Sequence, residues 1–132
     1  MKKDFKPAEY NSVSPYLVVN GAQKMIDLLQ KIFDAKELRK YKTSEGRILH
    51  AELKIDDSVL MLADATEAYP QSTSLVHIYT PDANAIYQKA VEAGCRPVQE
   101  PQERKGDPDR RGGFKDFAGN FWSVSTQVGN EK

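Results

Sequence analysis

With 132 residues, the chain has the length of one domain, long enough to bury a core without disulfides or a structural metal. Lysine plus arginine and aspartate plus glutamate each total 19, so the formal charge is zero, which argues against nucleic acid or an anionic membrane as a partner. The single cysteine, Cys95, excludes an internal disulfide; no apolar run approaches a membrane span, and MKKDFKPAEYN lacks the apolar core of a signal peptide, so a soluble cytoplasmic protein is expected.

After a polar arm, Val13 to Val19 reads as a strand that Asn20-Gly21 ends. The period then changes. Ala22, Met25, Ile26, Leu29, Ile32 and Phe33 fall on one stripe of a helix, while Lys24, Asp27, Gln30 and Lys31 take its wet side. Extended segments follow at about 37–43, 47–55 and 58–63, with SEG and DDS as the turns between them. The basic stretch ELRKYK is interrupted by a carboxylate and reads as a solvated strand edge.

The order then begins again. Residues 74–79 form a strand, and Thr80-Pro81-Asp82 opens a helix, with Pro81 where a missing N–H costs nothing. Ala83, Ile86, Tyr87, Ala90 and Val91 make its apolar stripe, and Gly94 terminates it. Cys95 follows as a small buried residue opening a strand, without a histidine nearby in sequence, so an inert thiol is expected. Extended segments near 96–99, 113–117 and 121–126 complete the set. Between them, EPQERKGDPDRRGG over 100–113 reads as a long charged loop. Gly112-Gly113 and Ala118-Gly119-Asn120 read as turn punctuation around two short strands. The chain therefore spells β-α-β-β-β twice, over about 12–64 and 73–127, within one α+β domain spanning 1–132. The repeat is one of element order, since the halves share almost no identical sequence.

PYLVVNGAQKMIDLLQKIF, GRILHAELKIDDSVLMLAD and the closing RRGGFKDFAGNFWSVSTQ together resemble the PhnB-like branch of the glyoxalase/bleomycin-resistance/dioxygenase superfamily, also called vicinal oxygen chelate. The resemblance spans Ser12 to Thr126. It implies that two βαβββ modules curl their mixed sheets into a half-barrel around a cavity, with helices outside, and it implies a homodimer. Enzymes of the superfamily hold a divalent metal in that cavity, and non-enzymatic members sequester drugs there.

Carried onto this chain, the enzymes' metal positions fall near Ser14, Met61, Leu75 and Ser123. A divalent ion needs imidazole, carboxylate or thiolate donors, and none stands at these places, so neither a metal nor another cofactor is expected. Neither a Gly-rich phosphate loop nor a nucleophile elbow nor an HExxH pattern occurs, and no catalytic residue is assigned.

Strand alternation supplies the cavity wall. In 47–55, Leu49, Ala51, Leu53 and Ile55 point toward the helix, leaving His50 and Glu52 inward. Val76 and Ile78 suit the helix side of their strand, which sends Leu75, His77 and Tyr79 inward. Ser14, Tyr16 and Val18 share one parity, as do Phe121, Ser123 and Ser125, while Trp122 and Val124 face the other way. The expected partner is thus a small molecule held by aromatic faces (Tyr16, Tyr79, Phe121) and polar groups (His50, Glu52, His77, Ser123). Arg111 or Arg110, from a segment similar to the GDR.GG of PhnB-like sequences, would reach an anionic group at the mouth. The alternative is a metal-dependent lyase, isomerase or dioxygenase using His50, Glu52 and His77, although the side chains of His50 and Glu52, two apart on one strand, are expected to run parallel rather than converge.

Overall fold

A computed structural model describes residues 4–129. The chain divides into two compact units, 1–72 and 73–132, and each is a βαβββ module. In the first, β1 (Tyr16–Val19), α1 (Ala22–Phe33), β2 (Lys36–Lys42), β3 (Ile48–Ile55) and β4 (Ser58–Asp64) build a sheet ordered β1-β4-β3-β2. In the second, β5 (Leu75–Tyr79), α2 (Ala83–Glu92), β6 (Arg96–Gln102), β7 (Asp109–Lys115) and β8 (Phe121–Gln127) are ordered β5-β8-β7-β6. Both sheets are mixed: β1–β4 and β5–β8 run parallel, and the other pairs antiparallel. The α+β class and the repeated element order are those read from the sequence.

The helix stripe explains the first core. Ala22, Met25, Ile26, Leu29 and Ile32 are buried, together with Leu17, Val19, Ala51, Leu53 and Leu62 on the sheet. Because α1 starts at a Gly in the left-handed region, with no side-chain cap, Asp64 supplies the missing acceptor. Its Oδ1 accepts from the Ala22 N–H at 2.7 Å and its Oδ2 from the Ile48 N–H at 2.8 Å, tying helix start, β3 and β4 together. Thr126 Oγ1 does the same for the Ala83 N–H at 2.8 Å in the second module. There Asp82 is the cap residue, accepting from the Ala85 N–H, so Pro81 precedes the cap instead of occupying the first helical position.

Two sequence expectations fail at β-bulges and close approaches. Tyr41 pairs with His50 and Lys42 with Ile48, leaving Leu49 unpaired. That extra residue inverts the alternation: Ile48 joins Ala51 and Leu53 in the core, and Leu49 is 57% exposed rather than turned to the helix. In the second module, β6 runs to Gln102 and β7 begins at Asp109, so the connection covers only 103–108 and not 100–113. Pro97 and Pro101 are tolerated because β6 is an edge strand. Gly112 and Gly113 therefore lie inside β7 and are not a turn. A Cβ on Gly112 would sit 2.6 Å from Pro101 N and 2.7 Å from Gln99 O, and one on Gly113 would sit 2.5 Å from Phe121 Cζ.

The turn at 116–120 is held from within. Asp116, buried, accepts from the backbone N–H groups of Ala118 and Asn120 at 2.9 and 3.0 Å and from the Trp122 indole N–H at 2.9 Å. Asn120 in turn accepts from the Ser74 N–H at 2.7 Å, which fixes the start of β5 beside β8. Trp122 is thereby a fully buried core anchor. Cys95 is buried as expected, and burial pushes its thiol up to about 11, which keeps it protonated and unreactive.

Candidate functional site

In both modules the polar residues gather on the sheet face opposite the helix. In the first, register aligns Tyr16, Met61, Glu52 and Arg39 in one row across β1, β4, β3 and β2. Tyr41 pairs with His50 in the neighbouring row. The pairing of Glu52 with Arg39 depends on a second bulge, at Leu38, between the Glu37–Leu53 and Arg39–Glu52 pairs.

These residues form a hydrogen-bonded chain. Glu52 is 4% exposed, and its ordinary value would be raised by that burial. Hydrogen bonds from Tyr10 and His50 and the nearby Arg39 charge outweigh burial and hold the carboxyl below the usual range. The Tyr10 hydroxyl donates to Oε1 at 2.5 Å, and Arg39 Nε lies 3.6 Å from the same oxygen. His50 Nε2 meets Oε2 at 2.8 Å. Contrary to the parallel arrangement expected of residues two apart, the imidazole and carboxylate converge. A carboxylate only accepts, so Nε2 carries the proton and Nδ1 is left to accept from the Tyr16 hydroxyl at 2.9 Å. Tyr41 stacks on the same imidazole with centroids 6.3 Å apart. Burial and the Glu52 charge keep the Tyr16 phenol above its ordinary value. The chain thus orients the Tyr16 hydroxyl and the His50 imidazole, with Glu52 as their anchor.

The second module repeats the theme with other residues. His77 pairs with Ser123, and His77 Nδ1 lies 2.9 Å from the Ser123 hydroxyl. Tyr79, edge-on to His77 with centroids 5.0 Å apart, donates its hydroxyl to Asp109 Oδ2 at 2.6 Å. Arg111, in β7 and not in a loop, contacts Asp107 at 3.3 Å and Asp109 at 3.5 Å. Arg110 turns instead to Asn84 and Glu103. Burial, then the Arg111 charge, pushes the His77 imidazole below its ordinary value despite Asp109. The Phe121 ring lies over the bare Cα of Gly113. Ser125, assigned to the same face, is fully buried, and its hydroxyl has no hydrogen-bond partner.

Sequence reasoning missed Tyr10, Arg39 and Asp109. Tyr10 sits in an aperiodic arm, Arg39 reaches its row only through a bulge, and Asp109 stands in a stretch whose prolines and charges imitate a loop. Only the Asp-Pro-Asp before a basic pair hinted at a carboxylate for Arg111.

Two βαβββ modules in one chain, each a four-stranded mixed sheet with one helix, define the class of fold. The chain belongs to the glyoxalase/bleomycin resistance protein/dioxygenase superfamily, whose model matches residues 10–124. It is 30% identical to an uncharacterised protein of Mycobacterium bovis over 128 residues, covering 89% of this chain and 84% of the relative. Among solved structures it is similar to TioX from Micromonospora sp. ML1, with a TM-score of 0.76, 19% identity and coverage of 89% and 99% of the two chains. A PhnB protein from Bacillus cereus gives 0.67 at 13% identity, covering 88% and 99%. The fosfomycin resistance protein FosX from Listeria monocytogenes, complexed with Mn(II) and sulfate, gives 0.67 at 15%, covering 91% and 90%. At these identities the shared property is the fold.

The donor set here does not fit the metal that superfamily enzymes hold. Opposite Met61 stands Tyr16, and opposite Ser123 stands His77; Ser14 precedes β1, and Leu75 pairs with Phe121. These positions offer one imidazole and no carboxylate, and Glu52, on the other side of Met61, is engaged by Tyr10, His50 and Arg39. Both ring nitrogens of His50 are engaged by Tyr16 and Glu52. Among the described residues, no three His, Cys, Asp or Glu side chains are grouped to hold an ion. No helix among them is long and apolar enough to cross a membrane.

Proposed function

We propose that this protein binds a small organic molecule on a helix-free sheet face and does so without a divalent metal. The observation that supports this most is the Tyr10–Glu52–His50–Tyr16 chain, in which both oxygens of a carboxylate and both nitrogens of an imidazole are engaged by protein hydrogen bonds. An imidazole engaged in this way has no free lone pair for an ion, and it orients a ligand through Tyr16. Tyr16, 46% exposed, and Tyr79, 59% exposed, give flat apolar contact with a hydroxyl at the edge, while His77, Ser123, Arg111 and Phe121 add sparse oriented polarity. A homodimer, as the superfamily resemblance implies, belongs to the same proposal, and light scattering at micromolar concentration checks it.

The test is a ligand-observed NMR screen of planar aromatic compounds against protein held in chelator. Binding that weakens in His77→Ala or in Tyr16→Ala, and is indifferent to chelator, supports the proposal. Binding that needs an added divalent ion, or a screen in which no compound responds, contradicts it.

A further inference from the structure

The segment before β1 is more than a leader to the sheet. Glu9 takes a left-handed conformation, with φ 69°, within the Pro7–Tyr10 backbone turn. A non-glycine residue adopts that region at a cost, so other contacts must hold it there. Three do. Glu9 meets Lys54 Nζ at 2.9 Å, the Tyr10 hydroxyl reaches Glu52 at 2.5 Å, and the Arg39 guanidinium lies over the Tyr10 ring, 5.4 Å from its centroid. Tyr10 thus inserts a phenol into the polar row of the first module, forty-two residues away in sequence from the carboxylate it contacts.

The seat under that phenol is built as a ligand site is built. Glu52, almost wholly buried, is an acceptor aimed at one hydroxyl; His50 fixes its other oxygen; Arg39 covers the ring from above. Nothing in the seat requires that the phenol be covalently part of this chain. We propose that Tyr10 is an internal stand-in for the ligand, and that the ligand carries a hydroxyaromatic group which displaces Tyr10 from Glu52 and Arg39. This deepens the binding proposal above and rests on it. The chemistry selects against anionic aromatics such as benzoates: a carboxylate brought to ionised Glu52 would face like charge, whereas a phenol donates one hydrogen bond. The strap also sets a cost on binding, since the ligand must compete with a phenol already in place.

The experiment uses p-cresol, the tyrosine side chain as a free molecule, with Tyr10→Ala in the full chain. Circular dichroism first establishes that the variant is folded. Tyr10→Ala is expected to bind p-cresol at least about tenfold more tightly than wild type, the equivalent of one such hydrogen bond. Tyr10→Phe, which keeps a ring in the seat but loses the hydrogen bond to Glu52, is expected to bind p-cresol with an affinity between those of wild type and Tyr10→Ala, and toluene is expected to bind Tyr10→Ala more weakly than p-cresol. Folded Tyr10→Ala with no gain for p-cresol, or with equal affinity for toluene, overturns the proposal. Should Tyr10→Ala not fold, wild type titrated with p-cresol carries the test: the Tyr10 ring signals must move with saturation, and a titration in which they stay fixed overturns it. The result is separable from the binding proposal itself, because a screening hit that binds wild type and Tyr10→Ala equally removes the stand-in role and leaves small-molecule binding intact.

Discussion

Leu53→Ala and Leu49→Ala, compared in one experiment, test the bulge at Leu49 in β3. Uninterrupted alternation would put both leucines in the core, whereas Leu53 is fully buried and Leu49 is 57% exposed. Leu53 pairs with Leu60 on β4 and faces α1, so truncation removes three carbons from a closed apolar environment. At about 0.8 kcal/mol per carbon the transfer loss is about 2.4 kcal/mol. A cavity that only partly collapses adds about 1 kcal/mol, giving about 3 kcal/mol in all. For a chain of this length that corresponds to a fall in Tm of about 12 °C. Leu49→Ala removes the same atoms from water-exposed surface and should stay within about 0.5 kcal/mol of wild type. Urea unfolding followed by circular dichroism reads both, with the midpoint shifting at constant slope. Equal losses for the two variants would mean that β3 has no bulge, and the placement of Ile48 in the core in place of Leu49 would fall with it.

Gly112→Ala should destabilise more than Gly113→Ala, because its Cβ meets the β6 backbone at Pro101 and Gln99, while that of Gly113 meets the movable end of the Phe121 ring; about 1–3 kcal/mol is expected for the former in the same assay. Asp116→Ala leaves two backbone N–H groups and the Trp122 indole without their acceptor and should cost about 3 kcal/mol or more, with a red-shifted Trp122 emission. The His77 imidazole is held below its ordinary value of 6.5, so the folded state binds fewer protons than the unfolded one just below that pH. Its contribution is present above 6.5 and is lost as pH falls toward the depressed folded value; His77→Asn should flatten the stability curve in that window, and an unchanged slope would contradict the assignment.

The element order was legible because both helices carry a clean apolar stripe and both modules place a helix directly after their first strand. Parity was legible where strands are regular: Val76, Ile78, Trp122 and Val124 line the helix side of the second sheet as the alternation of β5 and β8 predicts. It failed in β3, where one inserted residue at Leu49 reverses every position before it without any signal in composition. It failed again over 100–113, where glycines and prolines read as loop formers serve an edge strand and two close approaches. His50, Glu52, His77 and Ser123 were found because polar residues alternate with apolar ones on their strands. Tyr10 and Asp109 were not, since hydrogen bonds across thirty or more positions leave no local pattern, and Arg39 was not because a bulge sets its register.

The measurement that bears most directly on binding without a metal is equilibrium dialysis of the unchelated protein against Mn(II), Fe(II) and Zn(II), followed by elemental analysis. A cross-strand set of tyrosine, methionine, histidine and serine should retain far less than one ion per chain at neutral pH. One equivalent retained by wild type and lost in His77→Ala would contradict the account.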